Sequence, residues 1–183
     1  MSGDETRLQG KRAEAAVEFM ADRYRQAGVA TIWRQGTIAI PTRGGWKPIN
    51  SLPDFGGVIH GKGRAVAFDV KSTTKPTYRH SKTRAHQLEH LWKVHEAGGL
   101  AGLLIEYIGE TGASMRHGYF DSVWYWLWPT KAWEYGDSMS IKLEINALPP
   151  ALGLSVPFYE PVSEPYPDFL HLVIQNYWRY YTR

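Results

Sequence analysis

Cysteine is missing from all 183 residues. That absence excludes disulfide scaffolds, thiolate zinc sites, iron–sulfur clusters and cysteine nucleophiles together, so any metal must be held by carboxylates or imidazoles. Long apolar runs are missing too, since no stretch approaches the roughly 20 apolar residues a membrane-spanning helix needs. The opening MSGDETRLQGKR is polar and has no apolar leader segment. The expectation is a cytoplasmic protein with no membrane partner. A large charge excess is also lacking: 21 Lys+Arg against 18 Asp+Glu leave +3, with 43% hydrophobic and 21% charged residues. This is the balance of a folded soluble protein, and the length predicts one domain spanning 1–183. Internal repeats and low-complexity tracts are absent as well.

The charge that is present is unevenly spread. Residues 60–95 hold eight Lys/Arg against Asp69 and Glu89, with five histidines besides, whereas residues 96–183 hold five Lys/Arg against ten Asp/Glu. A basic centre beside an acidic tail is expected of a chain that meets a polyanion on one face. The plainer alternative is a solvated charged surface.

Thr6 and Gln9 form a capping box, and Ala13, Ala16, Val17, Met20, Tyr24 and Ala27 follow at helical spacing until Gly28. This predicts a first amphipathic helix from Thr6. Ala30–Arg34 and Thr37–Ile40 read as extended, and 41–48, with two prolines and two glycines, as a loop. Phe55–His60 and Arg64–Lys71, joined by Gly61-Lys62-Gly63, predict a hairpin. A polar, basic stretch from Ser72 to Arg84 leads to a second helix over about 83–97, stopped by Gly98-Gly99. Leu100–Ile108 is apolar enough for a buried strand. Trp124, Trp126, Trp128 and Trp133 stand near period two and predict a strand with an aromatic face. Six prolines between 149 and 167 predict irregular wrapping, after which Asp168 can cap a last helix. The order points to a central mixed sheet flanked by helices, α/β, or α+β if the pairing is mostly antiparallel.

The chemistry-bearing stretch runs from Pro53 to Lys71. Asp54 and Asp69 lie on the two arms of the predicted hairpin, so they can converge at one end of a sheet. Asp69 and Lys71 are two apart on one strand and therefore point to the same face. Two carboxylates around a hard divalent ion, with an ammonium alongside, suit phosphodiester hydrolysis. An exposed strand salt bridge would give the same spacing.

Asp54 followed by Asp69-Val70-Lys71 resembles the signature of the PD-(D/E)xK nuclease superfamily. Three further stretches narrow the resemblance to RecU-type Holliday-junction resolvases: Gly10-Lys11-Arg12-Ala13-Glu14 opening the first helix, Ser51-Leu52-Pro53-Asp54-Phe55-Gly56-Gly57 with Asp69-Val70-Lys71-Ser72-Thr73, and Ala85-His86-Gln87-Leu88-Glu89-His90-Leu91 before a glycine pair and a buried strand. The resemblance covers about 8–128, which it marks as a catalytic core with restriction-endonuclease-like fold, and leaves 129–183 as an aromatic, Pro-rich C-terminal extension. It implies that Glu14, Asp54 and Asp69 hold Mg²⁺, with Mn²⁺ able to substitute, that Lys71 assists the attacking water and that Gln87 braces the site. Glu18 reads as a solvated neighbour and Ser51 as a turn former. Lys11, Arg12, Arg43, Lys47, Lys62, Lys75, Arg79, Lys82, Arg84 and His86 are then the candidate contacts to DNA.

The activity implied is metal-dependent nicking of four-way DNA junctions during recombination, in symmetric pairs, by a homodimer, because a two-fold junction presents equivalent strands to a two-fold enzyme. A restriction- or repair-type endonuclease of the same superfamily and a non-catalytic DNA-binding accessory protein are the alternatives. The sequence departs from the family in three places. Asp69 stands where Glu is usual, residues 41–53 are too few for the family's junction-entering stalk, and the aromatic tail has no counterpart. Arg43, Trp46 and Lys47 are expected to perform a reduced version of the stalk's task.

Overall fold

The computed structural model of the chain describes residues 3–36, 39–48, 52–61, 63–79, 83–108, 122–128, 140–142, 153–156, 158–159, 166–167 and 169–170. Their elements are α1 (Gly3–Gln26), β1 (Ala30–Arg34), β2 (Ala39–Thr42), β3 (Gly45–Pro48), β4 (Phe55–Ile59), β5 (Arg64–Thr73), β6 (Thr77–Arg79), α2 (Ala85–Glu96), β7 (Leu100–Ile108), β8 (Ser122–Leu127), β9 (Ser140–Lys142), β10 (Gly153–Val156), β11 (Phe158–Tyr159) and β12 (Tyr166–Pro167).

The apolar stripe of α1 does what its spacing predicts: Ala13, Val17, Met20, Ala21 and Tyr24 are all buried. The helix begins earlier than the capping box, at Gly3, with Asp4 and Glu5 in its first turn. Carboxylates there meet the positive end of the helix dipole, which sustains the extra residues. Gly28 closes the helix at φ 67°, a backbone conformation that glycine adopts without penalty.

Six strands form the main sheet in the order β1-β4-β5-β7-β8-β10. The predicted hairpin is β4–β5, with Phe55 opposite Phe68 and Ile59 opposite Arg64. β5 and β7 are parallel, with Asp69 beside Leu103. A parallel pair needs a crossover, and α2 supplies it. The other four neighbouring pairs, β1–β4, β4–β5, β7–β8 and β8–β10, are antiparallel. The class is therefore α+β, a mixed sheet flanked by helices.

Period-two alternation divides the core between the two faces. Phe68, Val70, Leu104, Trp124, Trp126 and Trp128 pack with α1 and Phe169, while Ala67, Leu103, Ile105, Tyr125 and Leu127 pack with Leu91 of α2. The tryptophan strand is thus confirmed as β8, which holds Trp124 and Trp126 and ends one residue before Trp128, and Trp133 lies outside the described residues. Gly102 makes room for it, since a Cβ there would stand 2.5 Å from the Trp126 indole and 2.7 Å from the Leu127 carbonyl oxygen.

Three expectations are corrected. The loop expected over 41–48 folds into the hairpin β2–β3, in which Pro41 stands opposite Trp46. A two-stranded ribbon is all edge, so proline costs it little. The strand expected to end at Lys71 continues, as β5, to Thr73, and the basic stretch beyond it contains β6, which pairs with β9. The proline-rich tail holds β10, an edge strand bonded to β8, and the short pair β11–β12. The expected last helix is described only at Phe169 and Leu170, both helical. Among the described residues no helix is long and apolar enough to cross a membrane.

Candidate active site

Strand pairing between β4 and β5 stops at Phe55 opposite Phe68. The next residue back is Asp54, preceded by Pro53, which has no N–H to offer a ladder. Side chains take over where the backbone ladder ends. The Asp54 carboxylate accepts the Val70 backbone N–H through Oδ2 at 2.8 Å. Asp69 Oδ1 accepts the Asp54 backbone N–H at 3.3 Å and, at 2.8 Å, the side-chain amide of Gln87 from α2. The β1 side is closed by the Gln35 N–H donating to the Asp54 carbonyl at 2.8 Å.

Lys71 completes the group. Its ammonium pairs with the Asp69 carboxylate and stands 3.9 Å from Asp54 Oδ2. Asp69 is fully buried, while Asp54 and Lys71 keep 27% and 24% of their side-chain surface, so the cluster opens to solvent on the Asp54–Lys71 side. Burial pushes the Asp69 carboxyl up to about 7, the Lys71 ammonium opposes this, and the Asp54 charge adds to the rise. Tyr78 lies close enough to Asp69 to feel its charge, and burial raises its phenol to about 12 despite a hydrogen bond with Thr83.

Glu14 faces the same cluster from α1, within electrostatic reach of both Asp54 and Lys71. Its pKa is raised, chiefly by burial, against the lowering effect of Arg34. The Arg34 guanidinium pairs with the Glu14 carboxylate and also reaches Glu18 Oε1 at 3.4 Å. The structure therefore brings together Asp54, Asp69, Lys71 and Gln87, and directs Glu14 toward them while tying it to Arg34.

Hard carboxylate oxygens from three parts of the chain, two of them with a pKa raised chiefly by burial, are a donor set that fits Mg²⁺ or Mn²⁺. Among the described residues, however, no three acidic or imidazole side chains already enclose an ion position. Glu14 is engaged by Arg34 instead.

The expected DNA contacts divide. Lys11, Arg43, Lys75, Arg79 and Arg84 are exposed, and His86 is half-buried near the start of α2. Arg12 is not free in this way: it donates to Glu106 Oε1 at 2.6 Å, and Ser72 donates to Glu106 Oε2 at 2.9 Å. Glu106 is buried at 3% exposure, so this ion pair fastens α1 to β5 and β7 beneath the site. Ser51, Lys62 and Lys82 lie outside the described residues, as does the side chain of Lys47. Sequence reasoning missed Arg34, Glu106 and Ser72. Glu106 interrupts an otherwise apolar strand, which is the one visible signal that a buried partner must exist.

The recombination protein U family matches residues 8–115 of this chain. Among solved structures, Hjc from Archaeoglobus fulgidus, described as a Holliday junction resolvase from an archaeal hyperthermophile, is similar at 17% identity over 73% of this chain and 88% of that one, with a TM-score of 0.39. No curated protein sequence matches.

Proposed function

Since the chain belongs to the recombination protein U family of Holliday-junction resolvases, we propose that it nicks four-way DNA junctions in symmetric pairs as a homodimer, using Glu14, Asp54 and Asp69 to hold Mg²⁺ or Mn²⁺. The observation that carries the reading is the convergence of Asp54, Asp69, Lys71 and Gln87 where the β4–β5 ladder ends. When bound there, the ion would supply Lewis acidity and a water acidic enough to attack at neutral pH. Lys71, on the open side of the cluster, orients that water and offsets charge growing on the phosphate. Gln87 fixes the rotamer of Asp69 from behind.

DNA is held by the surroundings of this cluster. The segment 74–86 leaves three residues after Lys71 and returns one residue before Gln87, so its two ends are fastened to the site. Lys75, Arg79 and Arg84 are exposed along it and fit backbone phosphates. The β2–β3 hairpin carries Arg43 beside Trp46, whose surface is 74% exposed, and supports a base-stacking contact at the junction opening.

The test is Mg²⁺-dependent cleavage of a four-way junction against a linear duplex of the same arm sequence, with the wild type and Asp69→Ala. Paired nicks in the junction alone, lost in Asp69→Ala, are expected. Equal cutting of the duplex would move the assignment to a general endonuclease, and binding without cutting would move it to an accessory protein.

A further inference from the structure

Arg34 is the last residue of β1, opposite Phe55, so its backbone lies beside Asp54 at the rim of the cluster. Its guanidinium holds Glu14 and reaches Glu18, yet 53% of its side chain remains exposed. Arg12, paired with buried Glu106, is less exposed at 32%. Glu14, by contrast, keeps only 22% of its side-chain surface and faces Asp54. Glu14 is thus the inner partner of the pair, within electrostatic reach of Asp54 and Lys71, while its outer cation faces solvent.

We infer that Arg34 is an exchange residue: it occupies Glu14 in the free protein, and when a divalent cation takes Glu14 it turns to a phosphate of the DNA backbone. The inference rests on the metal-site reading above and extends it to a residue that reading does not use. The physical reason is competition for one carboxylate. A guanidinium and a divalent cation cannot both take the same carboxylate oxygens without mutual repulsion, and a released guanidinium finds its best alternative partner in a phosphate, which it can bind through two parallel N–H groups. Metal and DNA would then each favour the binding of the other, as reciprocal linkage requires.

The experiment measures binding and not turnover. Mn²⁺ affinity of the DNA-free protein is determined by calorimetric titration for the wild type, Arg34→Gln, Arg34→Lys and Asp54→Asn. Removing the competitor from an exposed ion pair should tighten Mn²⁺ binding about two- to fivefold in Arg34→Gln, with Arg34→Lys between it and the wild type. Affinity for a four-way junction is then followed against salt in Ca²⁺. Arg34→Gln should bind about tenfold more weakly, and its log–log salt slope should be shallower by about 0.9, the share of one phosphate contact. In metal-free buffer Glu14→Gln should bind the junction more tightly than the wild type, and that gain should vanish in the double variant with Arg34→Gln.

Unchanged or weaker Mn²⁺ binding by Arg34→Gln, or an unchanged salt slope, overturns the inference while leaving the metal-site reading standing. Equal Mn²⁺ binding by the wild type and Asp54→Asn overturns the metal-site reading, and the exchange with it.

Discussion

Two kinds of carboxylate meet at the end of the β4–β5 hairpin, and they differ in what restrains them. Asp54 accepts a backbone N–H from Val70, and Asp69 accepts both a backbone N–H and the Gln87 amide. Their partners belong to the sheet and to a buried helix residue, so their positions are set once the chain has folded. Glu14 sits on α1, and its ion-pair partner is the half-exposed side chain of Arg34. Its restraint is exchangeable with solvent conditions. The difference teaches that Asp54 and Asp69 are held by the fold itself, whereas Glu14 is held by a side chain that solvent can reach.

The sharpest break of this contrast falls on the rigid side. Asp69→Ala or Lys71→Ala should lower junction cleavage about 10³-fold, the scale of losing a preorganised electrostatic group, while junction binding, measured by gel shift, stays close to wild type. Gln87→Ala tests restraint without removing a donor. It should lower Mn²⁺ affinity or cleavage about 10- to 100-fold, as removal of a ligand's supporting hydrogen bond generally does. Calorimetric titration beside single-turnover cleavage separates the two effects.

Lys11 and Arg12 are adjacent on α1 and offer a smaller comparison. Arg12→Ala leaves the buried Glu106 carboxylate with the Ser72 hydroxyl in place of an ion pair and should cost about 1–3 kcal/mol in urea unfolding. Lys11→Ala, at an exposed position, should change stability by less than about 0.5 kcal/mol and weaken DNA binding instead.

The rigid pair also predicts a pH dependence. Burial raises Asp69 from an ordinary value of 3.8 to about 7, so the folded protein keeps this proton more tightly than the unfolded chain does. Its contribution to stability is therefore full below about pH 4 and is lost as pH rises through about 7. The metal-free protein should melt lower at about pH 8 than at about pH 5, Mn²⁺ should raise the melting temperature more at the higher pH, and Asp69→Asn should flatten both trends.

Much of this arrangement was legible in the sequence, for reasons that can be named. Period two on 69–71 placed Asp69 and Lys71 on one face, and the glycines at 61 and 63, with φ of 77° and 62°, marked the turn that brings Asp54 to the same end. Apolar periodicity revealed α1, α2, β7 and the tryptophan strand. What could not be read were pairings that no local hydrophobic period marks. β2–β3 looked like a loop because proline and glycine are tolerated in a free ribbon, β6 found its partner in β9, and β10 lies among prolines. At the site, the capture of Glu14 by Arg34 depends on α1 packing against β1, a contact that no local pattern encodes.

The most direct measurement is a crystal structure of the protein soaked with Mn²⁺, with the ion located by its anomalous scattering. The account predicts an ion bound by Asp54 and Asp69, with Glu14 turned away from Arg34 to join them. An ion held elsewhere, or an unoccupied Asp54–Asp69 pair beside an intact Arg34–Glu14 contact at saturating Mn²⁺, would contradict it.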